Sequence, residues 1–173
     1  MSDQIPSNGG TPSDEPAQNP ASAGSPQVPL TVVAQYVKDL SFENPRAPAV
    51  FSSPAAPQTS AQVSVQVHHL GERTYEVVLN MQLNGTVGSE PAYLVEIVYG
   101  GLFAIGSNVS NEMIEPLLMV EAPRLLFPFA RNVAAVATRE GGFPQVLISP
   151  VDFAALYRNH RRQRNRSQAP ASA

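Results

Sequence analysis

The sequence predicts an α+β fold, in which an antiparallel sheet carries helices on one side. Between residues 30 and 103, apolar side chains recur with the period of two that is typical of half-buried strands. From residue 111 onwards they recur with helical spacing instead. The connections between the predicted strands are short, which favours antiparallel neighbours, so we expect four strands followed by helices.

The first two strands are separated by a proline-rich connection. The first covers Leu30–Phe42 and ends at Asn44-Pro45 and Ala47-Pro48, because proline cannot donate a hydrogen bond to a ladder. The second is centred on Val63–Val67, where valines alternate with polar residues.

The third and fourth strands form the larger part of the predicted sheet. The third runs from Tyr75 to Leu83, after which Asn84-Gly85 offers a turn. The fourth covers Tyr93–Phe103 and is apolar on both faces apart from Glu96, which indicates that both faces are covered. Its Gly100-Gly101 pair indicates a bulge or a close backbone approach.

Three helices are predicted in the second half of the chain. The first covers Asn111–Val120 and is interrupted at Pro116. The second covers Pro128–Thr138, because proline suits a first helical turn and Gly141-Gly142 supplies a stop. The third covers Asp152 to about Arg164 and has one apolar face.

Composition divides the chain into three parts. Residues 1–28 are rich in proline, serine and glycine, carry three acids and no base, and are predicted to be disordered. Residues 29–165 form the predicted folded domain, and residues 166–173 a second disordered segment. Residues 29–157 hold 6 basic and 11 acidic residues, whereas residues 158–173 hold five arginines and no acid, so an acidic body is followed by a basic end.

The sequence offers little that points to catalysis. The chain has no cysteine, which excludes disulfides and thiolate metal sites. Its three histidines are His68, His69 and His160; two are adjacent and would point to opposite faces of a strand. No metal-ligand spacing, nucleophile motif or phosphate loop is present, so we predict neither an enzyme nor a metal or cofactor. No apolar run has membrane-spanning length and no secretory signal is recognisable, which favours a cytoplasmic protein.

Two surface features suggest binding. Asp39 and Glu43 share a face of the first strand, as do Leu94 and Glu96 on the fourth. If these faces coincide, three carboxylates surround a leucine; the default interpretation is a solvated sheet face, and the alternative is a docking surface for a basic partner. The chain also has more large apolar side chains than one small sheet can bury, which indicates a subunit interface or a groove for unfolded polypeptide.

Five segments together resemble the SecB family of protein-export chaperones, in an alphaproteobacterial version. They are Tyr36–Pro48 (YVKDLSFENPRAP), Tyr75–Leu79, Glu96–Phe103, Pro123–Arg131 (PRLLFPFAR) and Gly142–Leu156. They run in the order of the family and cover essentially all of residues 30–158.

The resemblance implies a dimer of dimers, in which strands pair subunits into dimers and packed helices form the tetramer. It implies binding of unfolded preproteins in apolar grooves without ATP, and delivery to SecA, the translocase ATPase. The family's docking site for the zinc-bearing C-terminal domain of SecA corresponds by position to Asp39, Glu43, Leu94 and Glu96. The zinc belongs to the partner.

For the preprotein groove the resemblance is less specific. Tyr93 and Tyr157 stand where family members have aromatic residues, and Phe42, Phe103 and Phe153 are further apolar candidates. Two rival functions remain open at this point. The arginines of residues 158–166 could contact nucleic-acid phosphates, although no recognised motif accompanies them and no specific nucleic acid is predicted as a partner. The second rival function is that of a purely structural oligomer that binds no client.

Overall fold

Four long antiparallel strands form one sheet in the computed structural model, which describes residues 28–168. They are β1 (Leu30–Glu43), β2 (Gln58–Gly71), β3 (Thr74–Val87) and β4 (Glu90–Ile105). Their order across the sheet is β1-β4-β3-β2, so the first strand lies beside the last. The connection from β1 to β2, which contains the short 3-10 helix Ala49–Ser52, crosses from one edge of the sheet to the other. The predicted four-stranded antiparallel sheet is confirmed.

The predicted turn at Asn84-Gly85 is wrong, because β3 continues through both residues. The turn lies at Gly88-Ser89, where Gly88 adopts a left-handed conformation with φ 63°. Gly85 has a different role: it lies opposite Tyr93 in the sheet, and a Cβ atom there would overlap the tyrosine ring. The glycine is therefore needed for a close approach and not for a turn.

The helices follow the sheet as predicted, but with different bounds. α1 (Asn111–Pro116) continues through one wide π-helical segment (Leu117–Glu121) into α2 (Ala122–Glu140). The wide segment directly follows Pro116, which has no N–H to donate to the helical ladder. The predicted helix start at Pro128 is wrong, since this proline lies inside α2.

The last helix, α3 (Phe153–Gln168), extends into the residues for which the composition predicts a loose tail. The other residues predicted to be disordered, 1–27 and 169–173, lie outside the described residues. Within residues 28–168 no helix is both long enough and apolar enough to cross a membrane.

The core lies between the helices and one face of the sheet. Leu79, Met81, Ile97 and Phe103 of β3 and β4 are almost completely buried there. Leu126 of α2 packs directly on Gly101 of β4, where a Cβ atom would overlap it. The atoms that approach the glycine pair of β4 belong to side chains, Leu126 at Gly101 and Tyr36 at Gly100, so the close approach is not one of backbone as predicted. The helices cover one side of the sheet. The other side stays open; it is called the open face below.

Candidate functional site

Four residues predicted to dock a partner lie together on the open face. In the ladder between β1 and β4, Glu43 is paired with Leu94, Ser41 with Glu96, and Asp39 with Val98. Asp39, Glu43, Leu94 and Glu96 therefore share one face of two neighbouring strands and are called the acidic strip. The assumption that the two strand faces coincide is confirmed.

A β-bulge in β1 decides which side chains reach this face. The register shifts by one residue between Val37 and Asp39, which leaves Lys38 as the extra residue. Because side chains alternate along a strand, the bulge exchanges the two faces from that point on. Asp39 and Glu43 consequently point to the open face, while Leu40 points to the helix side. Regular pairing would have directed both carboxylates toward the core.

The carboxylates of the acidic strip have no internal counter-charge. Within residues 28–168, Asp39, Glu43 and Glu96 take part in no ion pair. Lys38 is the basic neighbour of Asp39 in sequence, but it is held by Glu76 at 2.8 Å. Glu96 accepts one hydrogen bond, from the side-chain amide of Gln82 at 3.1 Å. The strip is therefore a concentration of negative charge that can attract a cationic partner.

A shallow cavity of about 410 Å³ lies beside the strip on the open face. It is lined by polar side chains of all four strands, among them Asp39, Gln62, Asn80, Gln82 and Glu96. The Nδ2 atom of Asn80 is buried and has no hydrogen-bond partner in the described part of the chain. Carboxylates and amides in a hollow of this kind can bind a polar or basic segment of another protein.

A hydrogen-bonded group of three residues fixes the far end of the open face. Glu76 of β3 accepts hydrogen bonds from the Tyr36 hydroxyl at 2.7 Å and from Lys38 at 2.8 Å. Both hydrogen bonds lower the pKa of Glu76, the one from Lys38 more strongly than the one from Tyr36. The Glu76 carboxylate in turn raises the pKa of Tyr36. The tyrosine reaches across β4 because Gly100 leaves room for its ring. Lys38 is the bulge residue, so this group also ties down the bulge that orients the strip.

An aromatic cluster occupies the opposite, helix-facing side, next to the same end of the sheet as the acidic strip. Phe42 stacks on Tyr93 with ring centroids 6.2 Å apart. Phe143 lies 4.9 Å from Tyr93 and 5.3 Å from Phe51, centroid to centroid. Phe51 is 50% exposed and brings the cluster to the surface. The four residues Phe42, Phe51, Tyr93 and Phe143 are called the aromatic cluster.

Two small cavities adjoin the aromatic cluster. One of about 280 Å³ is bounded by Phe51 and Phe143, and one of about 240 Å³ by Tyr93 and Leu147. Leu147 is 79% exposed, the highest value among the large apolar side chains of the described residues. Tyr93 keeps its orientation through a hydrogen bond of 2.6 Å between its hydroxyl and that of Thr59. Both cavities have walls of mixed polarity, in which large apolar side chains lie beside polar groups, and such hollows can bind peptide side chains.

The other predicted groove residues lie elsewhere. Phe103 is 0% and Phe153 1% exposed, so both are core residues of the described chain and do not line an open groove in this conformation. The reason is that both point inward beneath the helices, where Phe153 contacts Phe127 at 5.8 Å between ring centroids. Tyr157 is almost buried, and its ring is covered by the Arg161 guanidinium at 5.8 Å.

A larger cavity of about 640 Å³ lies between the edge strand β2 and the helices. Val65 and Val67 of β2 form one wall, Leu118 and Met119 form another, and His160 of α3 lies at its border. No other strand pairs with the outer edge of β2 in the described residues. An apolar hollow beside a free strand edge can accept an extended polypeptide.

The sequence alone did not indicate the exposed residues Phe51 and Leu147, or Phe143, which is buried beneath Phe51. Each lies outside the regular strands and α-helices, in a segment with no hydrophobic period to mark it. The available signal was weak: Phe143 stands between Gly141-Gly142 and Pro144, turn-forming residues among which a large apolar residue is unexpected.

Two further apolar surfaces are uncovered in the single chain. On β1, Val33 and Leu40 are about half exposed, and on α2 the same holds for Leu125 and Phe129. Within the described residues no group of three or more histidine, aspartate or glutamate side chains is placed to hold a metal ion.

The comparisons with known proteins agree on one family. Residues 23–164 match the family described as "Preprotein translocase subunit SecB". A "Protein-export protein SecB" from Rhizorhabdus wittichii is 52% identical over 132 residues, which are 76% of this chain and 78% of the relative. Another from Rhodopseudomonas palustris (strain BisB5) is 46% identical over 151 residues, which are 86% of this chain and 94% of the relative.

A solved structure shares the fold. It is the Mycobacterium tuberculosis SecB-like chaperone Rv1957, in complex with a ChAD peptide from the HigA1 antitoxin. It superimposes with a TM-score of 0.59 and covers 70% of this chain and 90% of its own. The sequence identity is 11%, so the likeness concerns the fold alone.

Proposed function

Because the chain belongs to the SecB family of protein-export chaperones, we propose that its helix side holds unfolded preproteins without ATP and that its open face docks SecA. The observation that carries this proposal is the acidic strip: three carboxylates without internal counter-charges surround a partly exposed leucine. A basic partner domain would be steered by the charge and anchored on the leucine. Unfolded polypeptide, which has no fixed charge pattern, is better served by the apolar surfaces.

The two proposed sites lie on opposite sides of the sheet. The acidic strip is on the open face, whereas Phe42 and Tyr93 of the aromatic cluster belong to the helix side of the same two strands. A client and SecA can therefore be bound at the same time, without competing for surface. Handoff then requires only that SecA stays attached while client segments dissociate.

Client binding is proposed to combine many weak contacts. Exposed Phe51 and Leu147 flank two small cavities, and β2 presents a free strand edge beside the apolar cavity of about 640 Å³. Backbone hydrogen bonds to an edge strand do not depend on the client's sequence, and apolar pockets add affinity for its large side chains. Contacts along one tethered chain raise the effective concentration of the next contact, so overall binding is tight.

The assembly is proposed to be a tetramer built as a dimer of dimers. The exposed apolar side chains of β1, including Val33 and Leu40, support pairing through strands, and those of α2, including Leu125 and Phe129, support packing of helices. Patches of this kind are costly to leave in water. Assembly would also extend the client-binding surface from one subunit to the next.

The client-binding part is tested with a denatured model client diluted into buffer without nucleotide. We expect the chain to suppress light scattering at stoichiometric amounts, because a holdase acts by mass action on the unfolded state. Phe51→Ser is expected to weaken this suppression, and Val28→Ser, at an exposed residue outside the cluster, serves as its control. Unchanged suppression by the Phe51 variant would remove the cluster from the client site.

The docking part is tested by calorimetric titration with the C-terminal domain of SecA. We expect Asp39→Asn and Glu96→Gln to weaken binding, and more so at low salt than at high salt. Glu72→Gln and Glu140→Gln remove exposed carboxylates outside the strip and are the matched controls. Equal losses in both pairs would mean that net charge, and not the strip, attracts the partner.

A further inference from the structure

The outer half of α3 carries a stripe of arginines on its solvent side. Arg158, Arg162 and Arg166 are spaced by four residues, and Arg161 lies one turn after the first. At 100° per residue these positions fall within an arc of roughly 140° on one side of the helix. All four side chains are exposed. They are called the arginine stripe.

The stripe is poorly neutralised. Arg161, Arg162 and Arg166 take part in none of the ion pairs of the described residues, and Arg158 lies 3.9 Å from a highly exposed Asp152. α3 itself contains no acidic residue. Arg164 lies on the other side of the helix and forms an ion pair with Glu115 of α1 at 3.1 Å.

Neither the helix dipole nor simple solvation accounts for the stripe. Favourable interaction with the dipole is confined to the last turn, which contains Arg166 alone. Like charges four residues apart destabilise a helix, and solvated faces normally mix both signs. The stripe therefore carries an energetic cost in the isolated chain that an external anion would remove.

We propose that the arginine stripe binds the phosphate backbone of RNA without sequence preference. Guanidinium groups bind phosphates through paired hydrogen bonds, and the residues between them, Asn159, His160, Gln163 and Asn165, add polar side chains and no apolar ones. Residues 158–168 contain no large apolar side chain, so this segment lacks the apolar face that insertion into a lipid surface requires. The acidic body repels polyanions, which confines their binding to this helix.

The choice of RNA rests on the chaperone activity, whereas phosphate binding by the stripe does not. The clients of an export chaperone are newly made polypeptides, and these emerge from a ribosomal surface rich in RNA phosphates. A weak, salt-sensitive attraction to such a surface would raise the local concentration of the chaperone where its clients appear. The arginine stripe would thus bring the chaperone to its clients, and docking of SecA on the acidic strip would allow their delivery afterwards.

The proposal is tested by fluorescence anisotropy of a labelled oligouridylate, about ten nucleotides long, titrated with the intact chain. Four phosphate contacts predict a slope of about −3 for log K against log salt, and roughly a 50-fold loss of affinity between about 50 and 200 mM salt. Arg162→Gln with Arg166→Gln should reduce this loss to roughly sevenfold. Arg46→Gln with Arg139→Gln removes the same charge elsewhere and should leave the slope unchanged.

Each other outcome overturns the proposal in a defined way. Absence of salt-dependent binding, or an equal reduction by the two double variants, would show that the stripe is not an RNA site. Equal or tighter binding of phosphatidylglycerol vesicles would refute the choice of RNA. Neither result would affect SecA docking, which is measured on a different face with a different partner.

Discussion

Leu94→Arg is the substitution that tests the acidic strip most directly. Leu94 is partly exposed on the open face, paired with Glu43 across the β1–β4 ladder. The introduced guanidinium would remove the apolar anchor and would also lie within reach of this carboxylate. The strip would therefore lose its leucine and one of its three free charges in a single change.

The expected loss of affinity follows from these two effects. If docking newly covers roughly a third of a leucine side chain, the anchor contributes ~0.8 kcal/mol. Withdrawal of one exposed carboxylate from the partner costs about 0.5–1 kcal/mol. Together they give ~1.5 kcal/mol, or about a tenfold increase in the Kd for the C-terminal domain of SecA.

Val28→Arg is the control for this substitution. Val28 is an exposed aliphatic residue that precedes β1, and it lies outside both the acidic strip and the group of Tyr36, Lys38 and Glu76. Calorimetric titration should return the tenfold weakening for Leu94→Arg and little change for the control, with client binding preserved in both. The reasoning is refuted if both variants weaken SecA binding equally, or if neither does.

Four other predictions concern assembly, stability and client binding. Phe129→Glu places a charge on the exposed face of α2 and should reduce the mass seen by light scattering from that of four 18.5 kDa chains to that of two. Because the folded-state pKa of Glu76 lies below its ordinary value of 4.5, its stabilising contribution is present above that pH and is lost as the pH falls through the folded value. Urea denaturation should therefore show a steeper acid-side loss for the unaltered chain than for Glu76→Gln. Gly85→Ala forces a methyl group against the Tyr93 ring and should cost about 1–3 kcal/mol of unfolding free energy. Phe51→Ser should weaken client holding and cost about 1 kcal/mol of unfolding free energy, since half of this side chain is buried.

The coupling between the bulge and the strip has a wider consequence. Lys38 is at once the extra residue of the bulge and the partner of Glu76, so a partly buried ion pair at one end of the open face fixes the side-chain direction of Asp39. Loss of this pair would allow β1 to slip in register, which exchanges its faces. Residues outside the docking surface can therefore control it through strand geometry alone.

Several parts of the structure could be predicted from the sequence. The alternation of β2 and β3 and the spacing of residues in α3 mark half-buried surfaces directly, because burial on one side imposes the period of the element on the chain. The ends of elements were less accessible. Pro128 lies within α2, and β3 passes through Asn84-Gly85, because tertiary packing overrides local preferences for stops and turns.

The candidate sites, too, could be predicted from the sequence only in part. The sequence identified the residues of the acidic strip and, by resemblance, the family that the comparisons then established. It did not distinguish Phe103 and Phe153, which fill the core, from Phe51 and Phe143, which form the cluster that reaches the surface. All four are equally apolar, and only the packing of the folded chain leaves Phe51 half exposed while Phe103, Phe143 and Phe153 are covered.

The sequence by itself determined the fold class, the family and the sign of the charge on the body and its end. Only the tertiary structure decided which side chains act together. The bulge at Lys38 turns Asp39 and Glu43 outward, and the β1–β4 ladder sets them beside Leu94 and Glu96. The physical reason is that the direction of a side chain in a sheet depends on register, which is fixed by contacts between residues far apart in the chain.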